Sequence, residues 1–128
     1  MADKDREIRM GESRMYLGED NIVFRIVVGV VDEKMATAFN KASIKLRSKA
    51  GGRVVNTFID LTRAGKPTPE GRRIGQQRLD AEGIGKIAIF GMHPVAKVIA
   101  SFVMGVTRKK DMRFFESREK ALSWLKEE

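Results

Sequence analysis

The sequence predicts a single α/β domain with a mixed, mostly parallel sheet of about five strands and four main helices largely on one face. Two observations lead to this fold class. Short apolar runs rich in β-branched residues alternate with segments whose apolar residues recur at helical spacing. After two initial strands and a helix, the order strand–helix occurs three times, which is typical of parallel strands joined by right-handed crossovers.

The first part of the chain is expected to form a lead-in and a hairpin. Residues 1–12 alternate in charge and predict a flexible segment ahead of a domain that spans 13–128. The hairpin joins a strand at 13–17 to a strongly β-forming run at 22–31 through the turn Gly18–Asn21.

A helix is predicted from Asp32 to about Ala50, where Gly51 and Gly52 end it with backbone freedom. One stripe of this helix is apolar and consists of Met35, Phe39, Ala42 and Leu46. Its lysines lie mainly off that stripe: Lys34, Lys41, Lys45 and Lys49.

The stretch from Arg53 to Arg73 is the centre of the prediction. A buried strand ends at Leu61, and a polar loop with two prolines follows. Thr68, Pro69 and Glu70 are a helix start, with a capping hydroxyl, a proline at the first position and an acid in the first turn. Because a strand end and a helix N-terminus meet here, we expect the functional site at this place.

The C-terminal half repeats the strand–helix pattern. Strands are expected at 86–90 and 112–115, with a helix from Pro94 to about 107 between them. A last helix begins at the cap Ser117, and its apolar positions are Ala121, Leu122, Trp124 and Leu125. We expect close packing at Gly71 and Gly75, which lie four apart on one helix face.

Composition limits the class of protein. The chain has 128 residues, 42% hydrophobic and 33% charged, which suits one soluble globular domain. It contains no cysteine, its N-terminus is charged rather than signal-like, and no apolar run approaches a membrane span. A cytoplasmic location is therefore expected.

The net charge of +8 is concentrated in one segment. Residues 34–78 carry 11 basic and two acidic side chains, whereas the remainder has a charge of −1. A solvated basic surface explains this pattern, and so does a face for an anionic partner.

Three stretches carry a resemblance to a known family. They are Phe58-Ile59-Asp60-Leu61-Thr62, Lys86-Ile87-Ala88-Ile89-Phe90-Gly91, and Phe114-Phe115 followed by Ala121-Leu122-Ser123-Trp124-Leu125. With the element order, they resemble the STAS domain of anti-sigma-factor antagonists in its SpoIIAA-like branch, which also resembles CRAL-TRIO lipid-binding domains. The resemblance runs from about Ser13 to Leu125 and concerns the fold more than any activity.

The resemblance implies a regulatory or binding module rather than an enzyme. In sporulation-type antagonists, a serine at the start of the equivalent helix, within an Asp-Ser-Ser-Gly-like loop, is phosphorylated by a partner kinase. The corresponding loop here runs from Lys66 to Gly71, lacks the Asp-Ser pair and has Thr68 as its hydroxyl. Thr68 is thus the candidate phosphorylation site, and a helix cap is the alternative role.

Catalysis and metal binding are disfavoured by the residues themselves. Asp60, Thr62 and His93 are expected at the carboxyl ends of neighbouring strands, but their spacing is that of ordinary βα turns. Gly65-Lys66 lacks the pattern of a phosphate-binding loop, because Pro67 stands where that loop needs Ser or Thr. Histidines are not clustered and cysteines are absent, so we expect no catalytic residue, metal or cofactor.

Two partner hypotheses remain. The first is a regulatory protein bound through residues 60–73. The alternative is a lipid or other anionic amphiphile, with peripheral membrane contact, whose tail lies along the helix that starts at Pro94. The candidate binding residues of both hypotheses are Asp60, Thr62, Arg63, Lys66, Thr68, Arg72, Arg73, His93, Phe102 and Met104. Nucleic acid is disfavoured because no aromatic strand or recognition helix is evident, and a homodimer through the nearly all-apolar helix 94–107 stays open.

Overall fold

The structure is a computed structural model that describes residues 6–76, 84–91 and 111–127. Its sheet has six strands, ordered in space as in sequence: β1 Glu7–Met10, β2 Ser13–Leu17, β3 Ile22–Gly29, β4 Val55–Ala64, β5 Ile84–Phe90 and β6 Met112–Phe115. The described helices are α1 Glu33–Lys49, α2 Pro69–Gln76 and α3 Arg118–Lys126. A short 3₁₀ turn, Glu19–Asn21, links β2 to β3.

The sheet is mixed, as predicted. Strands β1, β2 and β3 pair antiparallel, whereas β3 to β6 pair parallel. The predicted number of five strands is wrong because β1 forms within the residues assigned to the lead-in. Ile8 and Met10 of β1 pack against the core, and the charged residues around them conceal this alternation in the sequence.

Helix α1 begins and ends as predicted. The Asp32 carboxylate accepts a hydrogen bond of 2.8 Å from the backbone N–H of Met35 and so caps the helix. Gly51 and Gly52 have φ values of 69° and 81°, which release the chain from the helix. The apolar stripe packs on the sheet, with Phe39, Ala42 and Leu46 buried and Met35 partly buried.

Helix α3 covers the opposite face of the sheet. The Ser117 hydroxyl caps it by accepting from the Lys120 N–H at 3.3 Å, and Trp124 is only 8% exposed. Within β4, Asn56 donates to the carbonyl of Leu125 at 2.8 Å, while its neighbour Val55 belongs to the core under α1. Strand β4 therefore buries both of its faces, as its continuous apolar run predicts.

The prediction that the helices lie largely on one face needs a correction. Helix α2 packs against α1, where Asn40 donates to the Ile74 carbonyl at 3.1 Å. Two of the three described helices thus share one face and α3 lies on the other. The fourth predicted helix, 94–107, falls outside the described residues. None of the described helices has the length and apolar character needed to cross a membrane.

Candidate functional site

The candidate site is built on the carboxyl half of β4. The strand continues to Ala64, so Thr62 and Arg63 belong to it instead of to a loop after Leu61. The reason is that β3 also continues, and its Gly29 pairs with Ala64. Polar residues here do not end the strand, because the neighbouring strand offers a ladder to bond to.

A β-bulge interrupts this part of the ladder. Ile26 is opposite Asp60 and Val28 is opposite Arg63, so β4 carries one residue more than β3 between these pairs. The Asp60 carboxylate accepts hydrogen bonds from both the backbone N–H of Thr62, at 2.9 Å, and its hydroxyl, at 2.7 Å. Asp60 thus holds the bulge in place, which is a structural use of its acceptor oxygen.

The end of β5 closes on the same bulge. Gly91 has a φ of 83°, and a side chain at this position would overlap Thr62. Glycine is therefore required here for space as well as for backbone conformation. Asp60, Thr62 and Gly91 form one packed unit at this edge of the sheet.

Two chain segments at the carboxyl ends of β3 and β4 are joined by backbone hydrogen bonds. Gly65 donates to the Gly29 carbonyl at 2.8 Å, and Thr68 donates to the Val31 carbonyl at 3.0 Å. We name residues 29–32 and 64–68 together the loop ridge. Its most exposed apolar side chain is Val30, which is 58% exposed although it follows a buried strand.

Helix α2 starts directly from the loop ridge. The Thr68 hydroxyl accepts from the Gly71 N–H at 3.0 Å, so Thr68 is a helix cap. Gly71 is buried against Val31, whereas a side chain at Gly75 would meet open space. The expectation of close packing is confirmed for Gly71 only.

Cationic side chains surround this start of the helix. Lys66, Arg72 and Arg73 are exposed, and none of their side chains has an ion pair or hydrogen bond within the described residues. Arg63 lies 3.7 Å from the Glu12 carboxylate, but both side chains are mostly exposed, so this pair contributes little.

The structure divides the predicted site residues into two groups. Asp60 and Thr62 contact each other, while Lys66 and Thr68 belong to the loop ridge. His93, Phe102 and Met104 lie outside the described residues, so their predicted convergence with the others stays a prediction. The sequence analysis did not predict the exposure of Val30, because it assigned this residue to the strand 22–31. Gly29, where the strand ends, was the available signal.

Among the described residues, no group of three or more acidic or histidine side chains is arranged to hold a metal ion. A shallow depression in the described part of the chain is lined by residues at the start of α1: Asp32, Glu33, Lys34, Thr37, Ala38 and Lys41. It opens widely to solvent, and the loop ridge is therefore the better candidate for a site of interaction.

Comparison with known sequences assigns the family. A family model described as "Domain of unknown function (DUF7793)" matches residues 15–128. The chain belongs to this family. A search of curated proteins gave no match.

Solved structures resemble this DUF7793 domain at low sequence identity. A Shewanella loihica PV-4 protein of the DUF3478 family with a SpoIIAA-like fold has a TM-score of 0.63 at 17% identity, over 88% of this chain and 91% of that one. The anti-sigma factor antagonist SpoIIAA, in its unphosphorylated form, has a TM-score of 0.64 at 10% identity, over 87% and 94%. A candidate anti-sigma factor antagonist from Thermotoga maritima has a TM-score of 0.64 at 12% identity, over 88% and 93%.

These likenesses show the fold. The DUF7793 domain has a SpoIIAA-like α/β fold, which is the fold that the resemblance in the sequence predicted. Identities of this size carry no information on activity, so function has to be argued from the site.

Proposed function

We propose that this DUF7793 domain is a non-enzymatic regulatory module that binds a protein partner through the loop ridge and the start of α2. The observation that carries the proposal is the exposure of Val30 on a ridge with exposed cations nearby, of which Lys66 lies on the ridge itself. Protein interfaces combine an apolar centre with a polar rim, and the ridge presents both kinds of side chain next to each other.

The rigidity of the ridge supports this function. Its two segments are joined by backbone hydrogen bonds, and Gly71 anchors α2 against Val31. A preorganised surface loses little conformational freedom on binding, so more of the contact energy becomes affinity.

The roles of the polar residues support binding rather than catalysis. Asp60 lies at the bulge beside the loop ridge, and one of its oxygens accepts both the N–H of Thr62, at 2.9 Å, and its hydroxyl, at 2.7 Å. This contact between a carboxylate and a hydroxyl holds the bulge, and among the described residues no further hydrogen bond or ion pair orients the carboxylate as a catalytic base. The Thr68 hydroxyl accepts from the Gly71 N–H, and no base lies within hydrogen-bonding distance of it in the same part of the chain.

Thr68 is the position at which phosphorylation would control the partner. Two of the fold neighbours are described as anti-sigma factor antagonists or candidates for that role, and one of them as an unphosphorylated form. A phosphate on Thr68 would lie at the N-terminus of α2 beside Arg72, where backbone amides and positive charge favour it. It would also change the charge of the ridge, which is how a phosphate would release or recruit a partner.

Site-specific photocrosslinking tests the proposal. A photoreactive phenylalanine analogue placed at position 30 is expected to crosslink one defined protein in the source cells. The matched control places it at position 54, because Val54 is 64% exposed and lies before β4, at the opposite end of the sheet. The same crosslinked product from both positions, or none from position 30, would contradict the proposal.

Phosphopeptide mapping of the protein from the same cells tests the role of Thr68. Phosphate at Thr68 that abolishes the position-30 crosslink supports control by phosphorylation. In Thr68→Glu a carboxylate stands in for the phosphate. If this variant crosslinked as the parent does, phosphorylation of Thr68 would not control partner binding. If position 30 gave no crosslink and Lys66→Glu abolished binding to anionic vesicles, the amphiphile hypothesis would replace the protein partner.

A further inference from the structure

The outer face of α1 concentrates positive charge. From residue 34 to its end at Lys49, this helix contains five basic residues and no acidic one. At 3.6 residues per turn, four of the five fall within about 80° of arc and extend over about 22 Å of helix. We name them the lysine stripe: Lys34, Lys41, Lys45 and Lys49.

Nothing in the described part of the chain neutralises this stripe. All four lysines are exposed, and none of their ammonium groups takes part in an ion pair or hydrogen bond there. The acids that do form ion pairs, Glu7, Glu12 and Asp20, belong to the N-terminal strands and turns. Within α1 the one acid is Glu33, in the first turn.

An exposed apolar side chain lies beside the stripe. Ile44 is 42% exposed and is adjacent in sequence to Lys45. The core of the protein already uses the opposite side of α1, where Phe39 and Leu46 are buried. Ile44 lies outside this buried side, so its exposed part is available to contact a partner that covers apolar surface.

We propose that the lysine stripe docks on an anionic membrane surface, with Ile44 entering the headgroup region. A membrane surface requires no geometric complementarity from the protein and attracts each nearby lysine, strengthening binding by about fivefold per lysine at low ionic strength. The stripe contains no arginine and no aromatic side chain, the residues that recognise bases and phosphates most specifically in nucleic acids. The isolated apolar side chain likewise suits lipid better than a sugar–phosphate backbone.

This surface is distinct from the loop ridge. The stripe occupies the exposed side of α1, whereas the ridge includes the residues before the helix and the end of β4. Docking through the stripe would leave Val30 free, so a protein partner could bind at the membrane surface. Failure of one interaction therefore leaves the other unaffected.

Vesicle sedimentation of the full chain tests the docking. Vesicles with about 30% phosphatidylserine should bind the parent at about 50 mM salt, and binding should fall steeply as added salt shortens the screening length. Lys41→Glu/Lys45→Glu should weaken binding by more than about twentyfold, because two attractions become repulsions. Ile44→Ser should weaken it by about threefold, because partial burial of an aliphatic side chain is lost.

The matched control is Lys120→Glu/Lys126→Glu on α3. It changes the net charge by the same amount, on the opposite face of the sheet and at two exposed positions. Its binding should stay within about twofold of the parent's, since these lysines would face away from the bilayer.

Several results would overturn the docking. Equal binding to purely phosphatidylcholine vesicles would exclude charge recognition. An equal loss in the α3 control would show that only net charge matters, and an unchanged Ile44→Ser would remove the apolar contact. Duplex DNA serves as a competitor at the same concentration of phosphate as the vesicles. If it displaced the parent protein from the vesicles and bound it more tightly, the stripe would be assigned to nucleic acid.

Discussion

Gly71 lies so close to Val31 that a methyl group on it would overlap the Val31 carbonyl oxygen. The same carbonyl accepts the hydrogen bond from Thr68, so this contact fixes both the start of α2 and the position of the loop ridge. The glycine is needed for space and not for an unusual backbone angle, because Gly71 has no positive φ.

Gly71→Ala is expected to lower the free energy of unfolding by about 2 kcal/mol, because the backbone of α2 must move away from Val31. Gly75→Ala is the control, since its methyl group would meet open space and would remove glycine's entropic cost from the helix. That variant should be stabilised by about 0.5 kcal/mol. Urea unfolding measures both, and equal effects of the two substitutions would contradict the close packing.

Asp60→Ala is expected to lower the free energy of unfolding by about 1 to 2 kcal/mol, because the N–H and hydroxyl of Thr62 lose their acceptor. Asp60→Asn should lose much less, since its amide oxygen can still accept both hydrogen bonds. Chemical denaturation of the parent, Asp60→Ala and Asp60→Asn measures these differences in the free energy of unfolding. An Asn variant as unstable as the Ala variant would show that the charge, and not the acceptor oxygen, matters.

Arg25 places a charged guanidinium against the core, and its desolvation lowers the stability of the folded protein. It lies on the α1 face of β3, and its guanidinium carbon is 5.1 Å from the centre of the Phe39 ring. Its Nε is shielded from solvent and has no hydrogen-bond partner among the described residues. Burial lowers the pKa of the Arg25 guanidinium to about 10. In this part of the chain no ion pair offsets the desolvation of the Arg25 charge.

Arg25→Met is expected to raise the free energy of unfolding by about 1 kcal/mol, with a rise in Tm of about 3 °C. The pKa of Arg25 is lowered to about 10 in the folded protein, below the ordinary value of an arginine, so above about pH 10 the unfolded chain binds more protons than the folded one. The parent therefore recovers stability as the pH rises through this window, and the advantage of Arg25→Met should be constant below about pH 9 and shrink above about pH 10.

Arg14→Met serves as the control for Arg25→Met. Arg14 lies 5.1 Å from the Tyr16 ring in a similar arrangement, but it is 42% exposed and is paired with Glu7 at 3.3 Å. Its loss should be neutral or slightly destabilising, because water already solvates its charge. Thermal unfolding measures both variants. A higher Tm for Arg14→Met than for Arg25→Met would contradict the destabilisation assigned to the buried guanidinium.

The parts of the fold that the sequence predicts well are those with one dominant local signal. The Asp32 cap, the α1 stripe and the Ser117 cap each fix a helix without help from distant residues. The extension of β4 to Ala64 could not be predicted in this way, because it depends on a bulge and on pairing with Gly29. The polar residues after Leu61 indicated in the sequence that the strand ends there.

The candidate site shows the same limit. Its place after the central strand and the cap at Thr68 follow from local turn chemistry. The exposure of Val30 and the buried charge of Arg25 arise only when separate segments meet, so neither is visible in the sequence. Features that depend on which strands become neighbours need the tertiary structure.

The central claim is that the loop ridge binds a protein partner, and its most direct test is the affinity of the crosslinked partner after purification. Titration calorimetry would compare the parent with Val30→Asp and with Val54→Asp, which place the same charge on two similarly exposed valines. The account predicts that Val30→Asp weakens binding by at least about 30-fold, as expected for an interface hot spot, while Val54→Asp binds like the parent. Equal affinities of all three proteins would contradict it.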